Sequence, residues 1–177
     1  MNNVKLIIDA LKDGLKEHEV MRDHTTMRVG GVADYYYEAK SVDELVKAVK
    51  AATKADIPYF ILGGGSNIIF SDFGFPGLVI KNSSANIAFM NEKSQAIVDA
   101  GVPLLTFILE ATSHNFAGLE FLYGVPGTIG GAIYGNAGAY GQAIGDFVKY
   151  VTVLMPSGEI IQHEASWMEF GYRESVL

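Results

Sequence analysis

Two glycine-rich segments are the parts of this sequence whose residue types and spacing could do chemistry. The first is Gly63-Gly64-Gly65-Ser66-Asn67. The second runs from Gly124 through Pro126, Gly127, Thr128, Gly130, Gly131, Asn136, Gly138, Ala139 and Tyr140 to Gly141. Glycine lets backbone N–H groups approach a ligand closely and accepts positive φ, and successive exposed N–H groups make a concavity for an anion. Ser66 and Asn67 add side-chain donors. Neither segment is a standard nucleotide fingerprint. Gly63 to Phe70 lacks the Lys-Ser/Thr of a P-loop, and Gly124-x-x-Gly127-x-x-Gly130 lacks the Gly-x-Gly-x-x-Gly spacing of dinucleotide folds. A single glycine run reads as a turn. Two of them, roughly sixty residues apart, point to one extended phosphate-bearing ligand gripped twice.

Other chemistries find little support. His18, His24, His114 and His163 have no metal-ligand spacing, so no metal is expected. The absence of cysteine excludes a disulfide framework and thiolate sites. Asp43 and Glu44 read as helix-capping residues, and no carboxylate pair demands an acid–base role. A net charge of −7 without a Lys/Arg cluster argues against a nucleic-acid partner. No apolar run reaches the length of a membrane span, and Asp9 and Asp13 interrupt what a signal peptide would keep apolar. A cytoplasmic protein is expected. With 49% hydrophobic and 19% charged residues the chain is globular.

The elements that must position the glycine segments can be read from periodicity. Val4, Ile7, Ile8, Leu11 and Leu15 predict a helix over residues 3–17, followed by a short extended piece from Val20 to Gly31. The three tyrosines 35–37 mark a strand over 33–39, with alternating faces. Ser41-Val-Asp-Glu44 is a capping box opening a second helix. Pro58–Leu62 is a buried strand feeding the first glycine segment, and Leu78–Lys81 is another strand. Asn82–Asn86 is the best linker, which divides the chain into residues 1–82 and 83–177. Beyond it come a strand pair (87–90 and 95–100), a helix after Pro103, a short helix over 127–134, and a hairpin turning at Pro156-Ser-Gly-Glu159. Phe170-Gly-Tyr172-Arg173-Glu-Ser-Val-Leu177 begins a turn into a strand and stops, so the chain is expected to be incomplete.

Five motifs in order carry a resemblance: His24-Thr-Thr-Met-Arg-Val-Gly-Gly31, Gly63–Asn67, Gly124-Val-Pro-Gly-Thr-Ile-Gly-Gly131, Asn136-Ala-Gly-Ala-Tyr-Gly141, and Phe170-Gly-Tyr-Arg-Glu-Ser175. Over nearly its whole length the chain resembles the UDP-N-acetylenolpyruvoylglucosamine reductase (UDP-N-acetylmuramate dehydrogenase) family. The resemblance implies an α+β fold made of the two FAD-binding subdomains of the p-cresol methylhydroxylase/vanillyl-alcohol oxidase type. Residues 1–82 would be the first and 83–177 an incomplete second, with the substrate-binding third domain absent. It implies non-covalent FAD, NADPH as reductant and a nucleotide-sugar substrate, UDP-N-acetylglucosamine enolpyruvate, reduced to UDP-N-acetylmuramate for peptidoglycan. The cofactor-binding residues would be Gly63, Gly64, Gly65, Ser66 and Asn67 at the pyrophosphate; Gly124, Pro126, Gly127, Thr128, Gly130 and Gly131, with helix-terminal N–H groups toward phosphate; and Asn136, Gly138, Ala139, Tyr140 and Gly141 at the flavin end. Tyr172 would hold the substrate. Arg173, by local sequence a surface arginine, would be both substrate-binding and catalytic, its guanidinium facing the charge that develops on the substrate carboxylate. Two other readings stand beside this one: an FAD-dependent sugar or alcohol oxidase of the same superfamily, and a non-catalytic FAD-binding fragment.

Overall fold

The computed structural model describes residues 3–177; Met1 and Asn2, the start of the N-terminal stretch read above, lie outside the described residues. The chain forms two compact units. One comprises the described residues through Ser84 together with Leu154–Glu159, and the other Ala85–Val153 with Ile160–Leu177.

The first unit is a four-stranded sheet with helices packed on it. Helix α1 (Asn3–Leu11) buries Ile7 and Leu11. It stops well short of residue 17. Lys12 adopts a left-handed φ of 44°, and a Cβ on Gly14 would sit 2.7 Å from the Tyr37 ring. The chain then satisfies its backbone in a sheet rather than a helix. Strand β1 (Leu15–Val20) runs antiparallel to β2 (Val32–Ala39), with Leu15 opposite Tyr37. Helix α2 (Val42–Ala55) follows. Ser41 Oγ accepts from Glu44 N–H, while the Glu44 carboxylate reaches back to the Lys40 amide rather than to Ser41. Strand β3 (Tyr59–Leu62) and strand β4 (Phe75–Asn82) complete a sheet of order β1-β2-β4-β3, with β4 parallel to both neighbours.

Period-two alternation divides this sheet into two faces. Tyr37, Ala39, Leu78 and Ile80 pack with Ala48, Val49 and Ala52 of α2. Tyr36, Leu62 and Val79 face the other way and are covered by Met21 and Phe70. The second face therefore lies under the segments that flank the first glycine loop.

In the second unit, β5 (Ile87–Met90) and β6 (Gln95–Val98) form an antiparallel hairpin. Helix α3 (Leu104–Ser113) begins after Pro103 and buries Leu104, Phe107, Ile108 and Ala111. The short helix α4 (Ile129–Tyr134) is followed by the two-residue strands β7 (Gly138–Ala139) and β8 (Gln142–Ala143), then by β9 (Tyr150–Leu154) paired with β10 (Ile160–Glu164). Leu104, Ile108, Leu122, Ile133, Ile144 and Met168 make its core. Among the described residues no helix is long and apolar enough to cross a membrane.

Tyr36 records how dry the second sheet face is. Burial, reinforced by the negative charges of Glu38 and Glu19, pushes its phenol up to about 12. A raised folded-state pKa contributes stability that is complete below the unfolded value near 10 and is lost as pH climbs through about 12. Tyr36→Phe should therefore flatten the loss of stability between those two pH values, measured by urea unfolding across the alkaline range. Parallel curves for the variant and the parent chain would show that the Tyr36 hydroxyl stays accessible to water.

Candidate functional site

The first glycine segment is held from behind. Strand β3 ends at Leu62, which lies opposite Lys81 of β4, and the Lys81 ammonium donates to the Gly63 carbonyl. Two residues on, the Gly65 carbonyl accepts from both the backbone N–H and the Oγ1 of Thr26, each at 3.0 Å. Gly65 has φ +67°, and a Cβ there would run into the His24 carbonyl, so the position admits only glycine. Gly64 and Asn67 are exposed and Ser66 is half-buried. Among the described residues, no backbone–backbone hydrogen bond takes its donor from Gly64, Gly65 or Asn67. The loop thus binds its carbonyls inward and leaves amides for something else, which is the donor set an anion requires.

The residues behind the loop form their own network. His24 Nε2 and Glu19 Oε1 are 2.9 Å apart, and the His24 ring stacks on Tyr36 with centroids 4.4 Å apart. Lys16 also donates to Glu19 at 2.9 Å. Burial pulls the Glu19 carboxyl upward, but the hydrogen bonds from Lys16 and His24 outweigh it and hold its pKa below the ordinary value. Burial lowers the Lys81 ammonium's proton affinity, opposed by the charge of Glu38.

The second segment handles its amides in the opposite way. Helix α4 begins at Ile129, two residues later than the spacing predicts, with Thr128 as its buried N-cap. Thr128 Oγ1 accepts from Gly131 N–H at 3.3 Å, Ile129 N–H donates to Val102 and Gly130 N–H to Ala100. The first-turn amides expected to face a phosphate are committed to the protein. The Gly127 carbonyl likewise accepts from Leu104 N–H. Gly124, with φ +91°, and Pro126 are exposed. At the other end Gly138 and Ala139 pair with Ala143 and Gln142, leaving Tyr140 and Gly141 at the turn, with Tyr140 exposed.

This second segment is tied directly to the Tyr172-Arg173 motif. Asn136 is buried in a left-handed conformation, φ 39°. Its Nδ2 donates to the Gly171 carbonyl at 2.8 Å and its Oδ1 accepts from Gly145 N–H at 3.0 Å. Ser175 Oγ donates to the Tyr134 carbonyl at 2.7 Å. Between these anchors, Gly171 N–H donates to the Glu174 carbonyl and closes a tight turn with Tyr172 and Arg173 at its tip. Both side chains are exposed, with the guanidinium 6.0 Å from the Tyr172 ring centroid. Among the described residues Arg173 makes no ion pair, and its own φ is +61°. A displayed, unpaired arginine held in a disfavoured backbone conformation is suited to meeting an anionic ligand.

Asn136 is thus tied to the turn that carries Tyr172 and Arg173 within the second unit, and Gly63–Asn67 is built within the first. Sequence reasoning passed over Lys81 and Thr26. The signal for Lys81 was available: a lysine ending an otherwise apolar run, Leu78-Val-Ile, in a buried strand. Among the described residues no group of three or more metal-ligating side chains converges.

The family model for the FAD binding domain matches residues 33–164. The UDP-N-acetylenolpyruvoylglucosamine reductase of Caldanaerobacter subterraneus subsp. tengcongensis is 39% identical over 98% of the chain and 59% of its own length. The crystal structure of the corresponding reductase from Thermus caldophilus superposes with a TM-score of 0.75 at 31% identity, covering 92% of this chain and 57% of that one. The chain therefore spans under two thirds of the relatives it matches. A structure of p-cresol methylhydroxylase, at 16% identity and TM-score 0.66 over 90% of this chain and 34% of that one, shares the fold.

Asn136→Ala should break both clamp bonds and leave alanine in left-handed backbone, a loss of about 2–4 kcal/mol. Denaturant unfolding should show that loss, and the amides from Gly171 to Val176 should exchange faster with solvent. Retained protection in that turn would mean that Ser175 alone anchors it.

Proposed function

Since the chain belongs to the FAD binding domain family, we propose that it holds FAD non-covalently as the cofactor-binding part of a cytoplasmic UDP-N-acetylenolpyruvoylglucosamine reductase. The reaction would be NADPH-dependent reduction of UDP-N-acetylglucosamine enolpyruvate to UDP-N-acetylmuramate, and the relatives are named UDP-N-acetylenolpyruvoylglucosamine reductases. The division at residues 82/83 expected from the sequence falls close to the boundary of the two compact units at Ser84/Ala85, but Leu154–Glu159 groups with the first unit rather than the second; these two units are the proposed FAD-binding subdomains. The observation that carries the reading is the Gly63–Asn67 loop, whose carbonyls are engaged from behind while the Gly64, Gly65 and Asn67 amides stay out of the backbone network. That donor set fits a diphosphate, and a flavin dinucleotide is the diphosphate that the family binds. The sugar-oxidase reading has no such support, because the glucose dehydrogenase and glucose oxidase neighbours share 12% identity and hence the fold alone.

FAD, when bound, supplies a two-electron carrier between NADPH and the enolpyruvyl double bond. The remaining tasks belong to this chain. Gly63, Gly64, Gly65, Ser66 and Asn67 bind the diphosphate through backbone amides and side-chain donors. Gly124, Pro126, Gly127, Thr128, Gly130 and Gly131 contribute shape, since the amides of α4 are occupied, and glycines there keep side chains out of the cofactor's way. Asn136, Gly138, Ala139, Tyr140 and Gly141 frame the flavin end. Tyr172 orients the nucleotide-sugar substrate. Arg173 offers a rigid two-pronged donor to the enolpyruvyl carboxylate, on which negative charge grows as the substrate accepts hydride.

Gly64→Val puts a branched side chain on the exposed side of the loop. FAD affinity, followed by flavin fluorescence, should fall on the order of tenfold or more while the fold is unaffected; unchanged affinity moves the diphosphate elsewhere. In the whole enzyme, Arg173→Ala should spare flavin reduction by NADPH and slow the substrate half-reaction on the order of 10²–10³-fold. Arg173→Lys should recover part of that loss. Stopped-flow rates for the two half-reactions decide it, and a substrate step at the parent rate in Arg173→Ala would remove the catalytic role.

A further inference from the structure

Lys81 is an expensive residue for its position. Strand β4 lies between two other strands, and Leu78, Val79, Ile80 and Asn82 around Lys81 are all buried. By alternation its side chain shares the face of Val79, where Tyr36 and Leu62 pack. A lysine stem on such a face ordinarily carries its ammonium out to water. Here the head turns to the Gly63 carbonyl instead, half-buried, with its proton affinity reduced by desolvation. Nor does it form an ion pair among the described residues. Glu38 lies opposite it in register on β2, but that carboxylate is exposed and accepts from Ser83 Oγ at 2.8 Å, and no Lys81–Glu38 ion pair forms among the described residues.

The geometry of the peptide unit shows what this arrangement achieves. In a trans peptide the carbonyl of one residue and the N–H of the next point in opposite directions. Holding the Gly63 carbonyl from behind therefore aims the Gly64 N–H outward. Thr26 does the same for the following unit but one, holding the Gly65 carbonyl with two donors. Thr26 is neutral, so of the two side chains that hold these carbonyls Lys81 is the one that carries a charge.

We propose that Lys81 is a positioning residue for the cofactor's diphosphate: it fixes the outward direction of the Gly64 amide and places a positive charge behind it. The inference rests on the assignment of this loop to a diphosphate. It gives the half-buried lysine a function distinct from fold stability, and it predicts that the effect is confined to ligands that carry phosphate.

The test uses the chain as it is, with FAD and riboflavin as probes, in titrations followed by flavin fluorescence. Lys81→Met should weaken FAD binding about 10–100-fold, the scale of a hydrogen bond to a charged group, while riboflavin affinity and the urea midpoint of the ligand-free chain stay within twofold of the parent. If Lys81→Met does not fold, Lys81→Gln decides the same point, since it keeps a donor for the Gly63 carbonyl and removes the charge; a selective loss of FAD affinity supports the proposal. Equal weakening of FAD and riboflavin, or none, overturns it. A parent chain that binds FAD no more tightly than riboflavin would instead sink the diphosphate assignment itself, a result that the variants are not needed to reach.

Discussion

A planar trans peptide cannot offer its carbonyl and its N–H to the same side, and the first glycine loop is an application of that constraint. Any donor that engages a loop carbonyl from the protein side also sets where the neighbouring amide points. The first unit places two such donors, at Gly63 and Gly65, and the rest of its architecture can be seen as the means of placing them. β4 must run parallel beside β3 so that Lys81 lies opposite the residue before the loop. The chain after β1 must fold back so that Thr26 reaches Gly65. The stacking of His24 on Tyr36 and its contact with Glu19 fix the start of that segment.

The second unit uses the same residue type for a different end. Its glycines lie where the backbone packs closely against Ala100, Val102 and Leu104, and the amides at the start of α4 are consumed in that packing. Asn136 is what distinguishes this region. One amide side chain, buried and in left-handed backbone, donates to one segment and accepts from another. It therefore couples the glycine-rich stretch to the turn that displays Tyr172 and Arg173. Two glycine-rich segments that look alike on paper thus differ in physical role: one leaves amides outside its backbone hydrogen bonds, the other commits them to the protein and is tied to an exposed turn.

Much of this was legible in advance, and the exceptions have identifiable causes. The strand over the three tyrosines, the capped helix at Ser41, the strand feeding the glycine loop and the hairpin after Asn86 all follow from periodicity and turn chemistry. β1 was hidden because Leu15 falls at helical spacing from Leu11 and the intervening glycine is too weak a stop signal on its own. The left-handed Lys12 that ends α1 is a tertiary outcome with no local signature. The α+β class and the FAD-binding fold were readable from motif order, as the match over residues 33–164 and the solved neighbours bear out. What glycine content could not convey was which amides remain available, since that depends on partners distant in sequence. Lys81 belongs with these: its strand was evident, but its partner at Gly63 lies across the sheet.

The left-handed backbone at Arg173 has a consequence for how this chain can change. Glycine or asparagine would relax that position, so considerations of folding alone push residue 173 away from arginine. Among the described residues the guanidinium makes no ion pair that would oppose the push. With the role proposed for Arg173, residue 173 is a place where the stability of the polypeptide and the chemistry of its surface pull in opposite directions. A copy of this sequence released from the need for that chemistry would drift there early. The identity of one exposed side chain would then record whether the proposed chemistry is still selected for.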